Sequence, residues 1–216
     1  MSTVVIDQAG DQIVKVSVFE TIKNENDTGT IKRLKEDVTF QLSRGILTMS
    51  SSYFRKALQP YAFKEGFESQ LNIEEDSTEA FEIWFRVIHE QPGSTNVDLK
   101  VVWMVILIAD KYDFAIDLMN PWFAQWYERQ PIDRWLREWS PGAAYQDLTK
   151  DPRCLLLPSW RFDNAEAFLK ITRYLVYNCS FHVTEANPIG AWQLHMPSRI
   201  IRERPLINAH ADTVPS

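Results

Sequence analysis

The chain has 216 residues, 45% of them hydrophobic, and a formal net charge of -6 at neutral pH. It can bury a core of its own, and its eight Trp and twelve Phe exclude a disordered polar chain. The acidic balance argues against the phosphate backbone of nucleic acid as main partner, and the most apolar run, Val101–Ala109, is too short to span a membrane.

Ile13–Phe19 alternates apolar residues with Lys15 and Ser17, which predicts a strand. No element is assigned before it, and the stretch from Met1 to Gln12 lacks the apolar segment of a secretory signal. Glu20–Asp37 is charged and carries the turn formers Asn24, Asn26, Asp27 and Gly29, so a long hairpin connection is expected there. Val38, Phe40 and Leu42 mark the returning strand. From Ile46 to Leu58 the period becomes helical, and Ser50–Ser52 supplies a break and an N-cap between two short helices. Gln70–Glu74 predicts a short third strand.

Asp76 followed by Glu79 has the spacing of a capping box, and Ala80, Phe81, Trp84, Val87 and Ile88 form the buried stripe of the helix it opens. Leu99–Tyr112 is apolar nearly all round, as a central helix should be. Asn120-Pro121 predicts an N-cap and a first-turn proline for a helix through Arg129. After Gln130, Trp135, Trp139 and Trp160 are scattered among Pro141, Gly142, Pro152 and Pro158, and irregular structure is expected. Asp163 with Glu166 predicts one further helix whose inner face is Phe168, Leu169, Thr172, Leu175 and Val176. Ile200 and Ile201 predict a last short turn.

Four segments carry a family resemblance. Phe40-Gln-Leu-Ser-Arg-Gly-Ile-Leu47 with Ser51-Ser-Tyr-Phe-Arg55, then Phe63-Lys-Glu65, Asp76-Ser-Thr-Glu-Ala-Phe-Glu82 and Ala109-Asp-Lys-Tyr112 follow one another in the order of the BTB/POZ family. Arg86-Val-Ile-His89 and Pro121-Trp122 resemble the form of that family common in filamentous fungi. The chain departs from the family at Ser43 and Arg44, where a His-Lys pair is usual, and at His89 and Glu90. The resemblance implies an α+β fold, a small three-stranded sheet flanked by a cluster of helices. It is expected over residues 10–130, followed by a mainly helical annex over 131–205 and a flexible tail over 206–216.

The resemblance also implies a protein-binding module without catalytic activity or cofactor, in the cytoplasm or nucleus. Such modules self-associate, some as homodimers, or act as adaptors, some on a cullin scaffold of a ubiquitin ligase. Scaffold-docking members share an apolar-x-Glu motif, which Phe63-x-Glu65 resembles. There an exposed aromatic would anchor in a pocket while the carboxylate sets register; otherwise Phe63 folds inward and Glu65 is solvated. Trp122, Phe123, Trp126 and Tyr127 place four aromatics in six residues of one helix. They form either an interaction groove or a stack in which the two tryptophans pack inward and Phe123 and Tyr127 meet the annex.

Other chemistries find little footing. Cys154 and Cys179 form no CxxC pair and read as reduced thiols. Cys179 with His182 is a bare i, i+3 couple with no further metal ligand in sequence. His89 falls at a helix end, where carbonyls favour a cation; His182 and His195 fall near aromatics of the annex. No glycine-rich phosphate loop exists. Lys32-Arg33-Leu34-Lys35 and Arg199, Arg202 and Arg204 are short basic clusters that read as solvated charge. A role as a transcriptional or chromatin co-factor acting through protein contacts is the alternative.

Overall fold

The computed structural model describes residues 2–23, 30–59, 70–74, 76–140, 148–178, 185–197 and 200. Strand β2 (Gln12–Lys23) and strand β3 (Thr30–Leu42) pair antiparallel from Gln12 opposite Leu42 to Lys23 opposite Thr30. Most of the stretch expected to be a hairpin connection is therefore strand. Its charges sit in register: Glu20 faces Arg33 across the ladder, a pairing that stabilises a ribbon. Val18 opposes Glu36 and Phe19 opposes Leu34, so Lys35 is the extra residue of a bulge.

Strand β1 (Ser2–Val5) lies parallel on β3, and strand β4 (Gln70–Glu74) lies parallel on β2, in the order β1-β3-β2-β4. The sheet thus has four strands among the described residues, not the three expected. β1 is held from beyond its end: Ile6 is buried, and the Gln91 side-chain amide donates to its carbonyl at 2.6 Å. The turn from β1 into β2 needs Gly10, because a Cβ there would stand 2.6 Å from the Leu42 carbonyl oxygen.

Val14, Val16, Val38, Phe40, Leu42, Leu71 and Ile73 are buried on one face of the sheet, beneath the helices. Helix α1 (Arg44–Ser50) is capped by Ser43 and helix α2 (Ser52–Ala57) by Ser51, each hydroxyl accepting from the amide three residues on. Helix α3 (Thr78–Ile88) is capped by Ser77, which accepts from the Ala80 amide at 3.2 Å. Asp76, the expected cap, lies one residue too early. Its buried carboxylate instead accepts from Lys111 Nζ at 2.7 Å and from the Tyr112 hydroxyl at 2.5 Å. Helix α4 (Leu99–Tyr112) begins on Asp98, whose carboxylate accepts from the Val101 amide, and has the expected bounds.

Tyr112 is the meeting point of the motif segments. Its carbonyl accepts from the Ser51 hydroxyl, its own hydroxyl reaches Asp76, and its ring lies 4.9, 6.0 and 5.1 Å from those of Tyr53, Phe54 and Phe81. Phe85 links this group to the sheet, 5.2 Å from Phe40 and 5.2 Å from Phe81. Segments far apart in sequence thus close around one aromatic cluster. Phe63–Glu65 lies outside the described residues.

After Gln130 the described residues form short helices, including in the stretch between Gln130 and Asp163 where irregular structure is expected. Helix α5 (Asn120–Arg129) leads to helix α6 (Ile132–Glu138), a 3-10 turn over Pro152–Leu155, helix α7 (Leu156–Arg161) and helix α8 (Ala165–Asn178). Pro152 and Pro158 stand in first turns, where the missing amide hydrogen costs nothing. Asn120 is not the cap of α5; the residue before the helix is Met119, which makes no side-chain cap bond. α8 is capped by Asn164 rather than Asp163, and it buries Ala167, Ile171 and Leu175, while Leu169 and Val176 face outward. The expected stripe is rotated because Ala167 and Ile171 carry the contact. These helices share one continuous hydrophobic core with the sheet and α3–α4. The Ile200 amide closes a turn on Pro197, and Ile201 lies outside the described residues.

Tyr112→Phe deletes the hydroxyl and leaves the buried Asp76 carboxylate with Lys111 as its remaining side-chain donor. We expect a loss of about 1–3 kcal/mol in unfolding free energy, read as a lower urea midpoint at unchanged slope. An unshifted midpoint would show that the hydroxyl contributes nothing.

Candidate interaction surfaces

The aromatic helix is enclosed. Trp122, Phe123 and Trp126 are 4%, 0% and 0% exposed. The indoles of Trp122 and Trp126 donate to the carbonyls of Ser94 and Val97, both at 2.9 Å, which fixes the segment running from α3 to α4. Phe123 stacks on Phe162 at 4.7 Å and on Trp126 at 5.6 Å. Tyr127 is partly buried, 6.1 Å from Phe123. Of the two arrangements expected for these four aromatics, an exposed groove or an inward stack, the helix has the stack: one face meets the core and the other the annex. Phe162 lies against two of these rings, 6.1 Å from Trp122 and 4.7 Å from Phe123. Phe63 and Glu65 lie outside the described residues.

The titratable groups are bound into the frame. Cys154 is buried beside Asp151, and burial first, then that carboxylate, pushes its thiol up to about 12. His89 caps the end of α3, but not as the cation expected. The Ser43 amide donates to its Nε2 at 3.0 Å, so this nitrogen carries no proton, and Nδ1 donates to the Phe85 carbonyl at 2.7 Å. The neutral imidazole bridges the end of α3 and the start of α1, and it brings together two of the positions at which the chain departs from the family pattern. His195 is exposed, and Cys179, His182 and His210 lie outside the described residues. Among the described residues no group of three His, Cys, Asp or Glu side chains is placed to hold a metal ion. No described helix is long and apolar enough to cross a membrane.

Two concave surfaces are lined by described residues. A cleft of about 640 Å³ lies between the sheet, α3 and α4. Val38, Phe40 and Ile108 form its floor, Val18, Met104 and Leu107 its half-buried walls, and Glu36, Glu79 and Glu82 its acidic rim. Thr78 donates to Glu36 at 2.6 Å, and Arg86 pairs with Glu82 at 2.7 Å. Burial, then Asp98, Glu36 and Glu82 in that order, all hold the Glu79 carboxyl above its ordinary value. A second groove of about 750 Å³ runs between α6 and α8, with Leu136, Leu169, Tyr174 and Tyr177 among its lining residues and Lys170 paired to Asp133 at its edge.

The sequence reading missed the cleft because its walls come from strands and helices whose alternation marks them only as core. The charged residues Glu36 within β3, Glu79 in the first turn of α3 and Asp98 at the cap of α4 were the available signal. Compared with protein-family models, curated proteins and solved structures, the chain matches none.

Phe123→Ala is expected to cost about 3–5 kcal/mol of stability, since the ring is wholly buried between Trp126 and Phe162. A loss of less than about 1 kcal/mol in chemical unfolding would be the mark of a surface recognition residue instead.

The tyrosine hydroxyls set an alkaline limit. Burial first, then Asp76, raises Tyr112 above the ordinary tyrosine value, and burial, then Asp133 and Glu166, pushes Tyr127 up to about 12. Both groups are raised in the folded state, so their contribution is complete below about pH 10 and is lost as pH climbs through the folded-state values, because the unfolded chain ionises first. The thermal midpoint should fall in that alkaline window. Tyr127→Phe should make the fall shallower without lowering stability at neutral pH, since the buried Tyr127 hydroxyl has no hydrogen-bond partner.

Proposed function

We propose that the chain is a protein-interaction module of the BTB/POZ type, acting by self-association or as an adaptor between protein partners rather than as an enzyme. The observation that carries this reading is the convergence on Tyr112 of Ser51, Tyr53, Phe54, Asp76 and Phe81, residues of the segments in which the sequence resembles that family. A resemblance scattered over unrelated surfaces would be coincidence of composition. One that closes into a single buried cluster reads as the skeleton of a fold.

The surface is suited to contact. Past Ser17 and Asp37, the β2–β3 ribbon runs beyond both β4 and β1, which leaves both its edges without a neighbouring strand among the described residues. Val5 and Leu34 stand 50% and 49% exposed. The described thiol, on Cys154, is walled in and held in its protonated form, which suits packing rather than nucleophilic attack.

Recruitment to a cullin-type ubiquitin ligase through Phe63 and Glu65 is the adaptor form of this proposal. Two measurements test the reading together: light scattering across a concentration series, and retention of a purified cullin on the immobilised chain. We expect either a mass that rises with concentration or retention that Phe63→Ala/Glu65→Ala abolishes. A monomer at every concentration that also fails to retain the cullin overturns both forms.

A further inference from the structure

The cleft between the sheet, α3 and α4 has the form of a receptor for one kind of segment. Its floor and walls are apolar: Phe40 and Ile108 are closed off, but Val18, Met104 and Leu107 keep accessible surface. Its volume of about 640 Å³ falls within the range of sites that enclose a ligand group, about 300–1,000 Å³. A surface of this kind, apolar within and charged at the rim, matches the anatomy of a recognition patch.

The rim is unevenly neutralised. Asp76 is closed by Lys111 and Tyr112, Glu82 by Arg86, and Glu36 accepts from Thr78. Among the described residues Glu79 makes no ion pair or side-chain hydrogen bond, and three carboxylates act on it in the same sense. Lys35 is the cation of the lining, and it stands on the bulge of β3. A cation arriving beside Glu79 would therefore relieve repulsion without breaking an existing pair. With no three-ligand set for a metal among the described residues, the complementary group is the side chain of a Lys or Arg.

We propose that this cleft binds a protein segment in which an apolar side chain is flanked by basic residues, the apolar group seated on Val18, Met104 and Leu107 and a cation set against Glu79 and Glu36. The proposal rests on the interaction-module reading and names the chemistry of its partner.

Fluorescence anisotropy with the full chain tests it. The probe is a labelled peptide of leucines flanked by lysines and arginines. The controls are the same peptide with serine for leucine, and with glutamate for its basic residues. We expect the first to bind, each control to bind about tenfold more weakly or worse, and binding to weaken as salt rises. Glu36→Gln/Glu79→Gln, with folding verified by circular dichroism, should weaken the first peptide by about tenfold, as should Leu107→Gln. Equal binding of the leucine and serine peptides would show a bare cation site and overturn the proposal. So would no binding of any peptide, or an affinity that Glu36→Gln/Glu79→Gln leaves unchanged. Peptide failure alongside positive self-association or cullin retention sinks the cleft alone. Peptide binding with both of those absent sinks self-association and cullin docking and leaves the cleft standing.

Discussion

The hydrogen bond from Tyr112 to Asp76 ties the end of the central helix to the start of α3 and to the strand before it. At 2.5 Å, with Lys111 donating to the same oxygen, it satisfies a carboxylate that is 8% exposed. An unpaired charge at that depth would cost several kcal/mol, so Asp76, Lys111 and Tyr112 stand or fall together. The ring of Tyr112 extends the constraint. It packs against α2 through Tyr53 and Phe54 and against α3 through Phe81, and the Ser51 hydroxyl clamps its carbonyl. At about 0.5–1.5 kcal/mol for each aromatic pair beyond burial, the cluster is a substantial share of a stability that totals only about 5–15 kcal/mol.

The annex is bound to this frame by two further anchors. Trp103 on α4 donates to the Cys154 carbonyl at 2.8 Å, and Phe123 on α5 stacks on Phe162. Both contacts are buried, so the helices after Gln130 complete the core. The apolar surface of α4 that the sheet and α3 leave open is covered by them, which explains how a helix apolar nearly all round is accommodated. Surfaces that stay available to a partner include the ribbon beyond the sheet, the outward sheet face bearing Val5 and Leu34, the acidic cleft and the groove between α6 and α8.

The legible elements are those where one local pattern decides the outcome. Leu99–Tyr112 is readable to the residue because Asp98 caps it, its apolar run has helical length, and Asp113 stops it in the left-handed region at φ 50°. β1 is not readable, because four mostly exposed residues acquire strand structure only from the β3 edge they meet. Ribbon residues 20–23 and 30–37 read as a loop since their charges mimic one. Only the cross-strand register shows that Glu20 and Arg33 compensate each other. Asp76 and Asn120 illustrate the limit of capping rules: both have the right side chain, but the helix start is settled by backbone geometry a residue away.

The site is harder to read than the fold for a related reason. Residues that carry the family resemblance and lie within the described structure do so mainly because they are buried: Phe40, Leu47, Ser51, Phe54, Phe81, Ala109 and Tyr112 are all core. A motif of buried residues reports what a chain must do to fold, and it is silent on what the folded chain touches. Recognition has to come from side chains that packing leaves free to vary. In the cleft these are Glu79, which has no ion pair among the described residues, and the half-buried Val18, Met104 and Leu107. Glu79 stands in the first turn of α3, where the helix N-terminus favours a carboxylate. The same helix position therefore keeps that charge in place at little cost to folding, although Asp98, Glu36 and Glu82 oppose it. A fold that tolerates like charges around an apolar hollow keeps electrostatic energy that a cation set beside Glu79 would release.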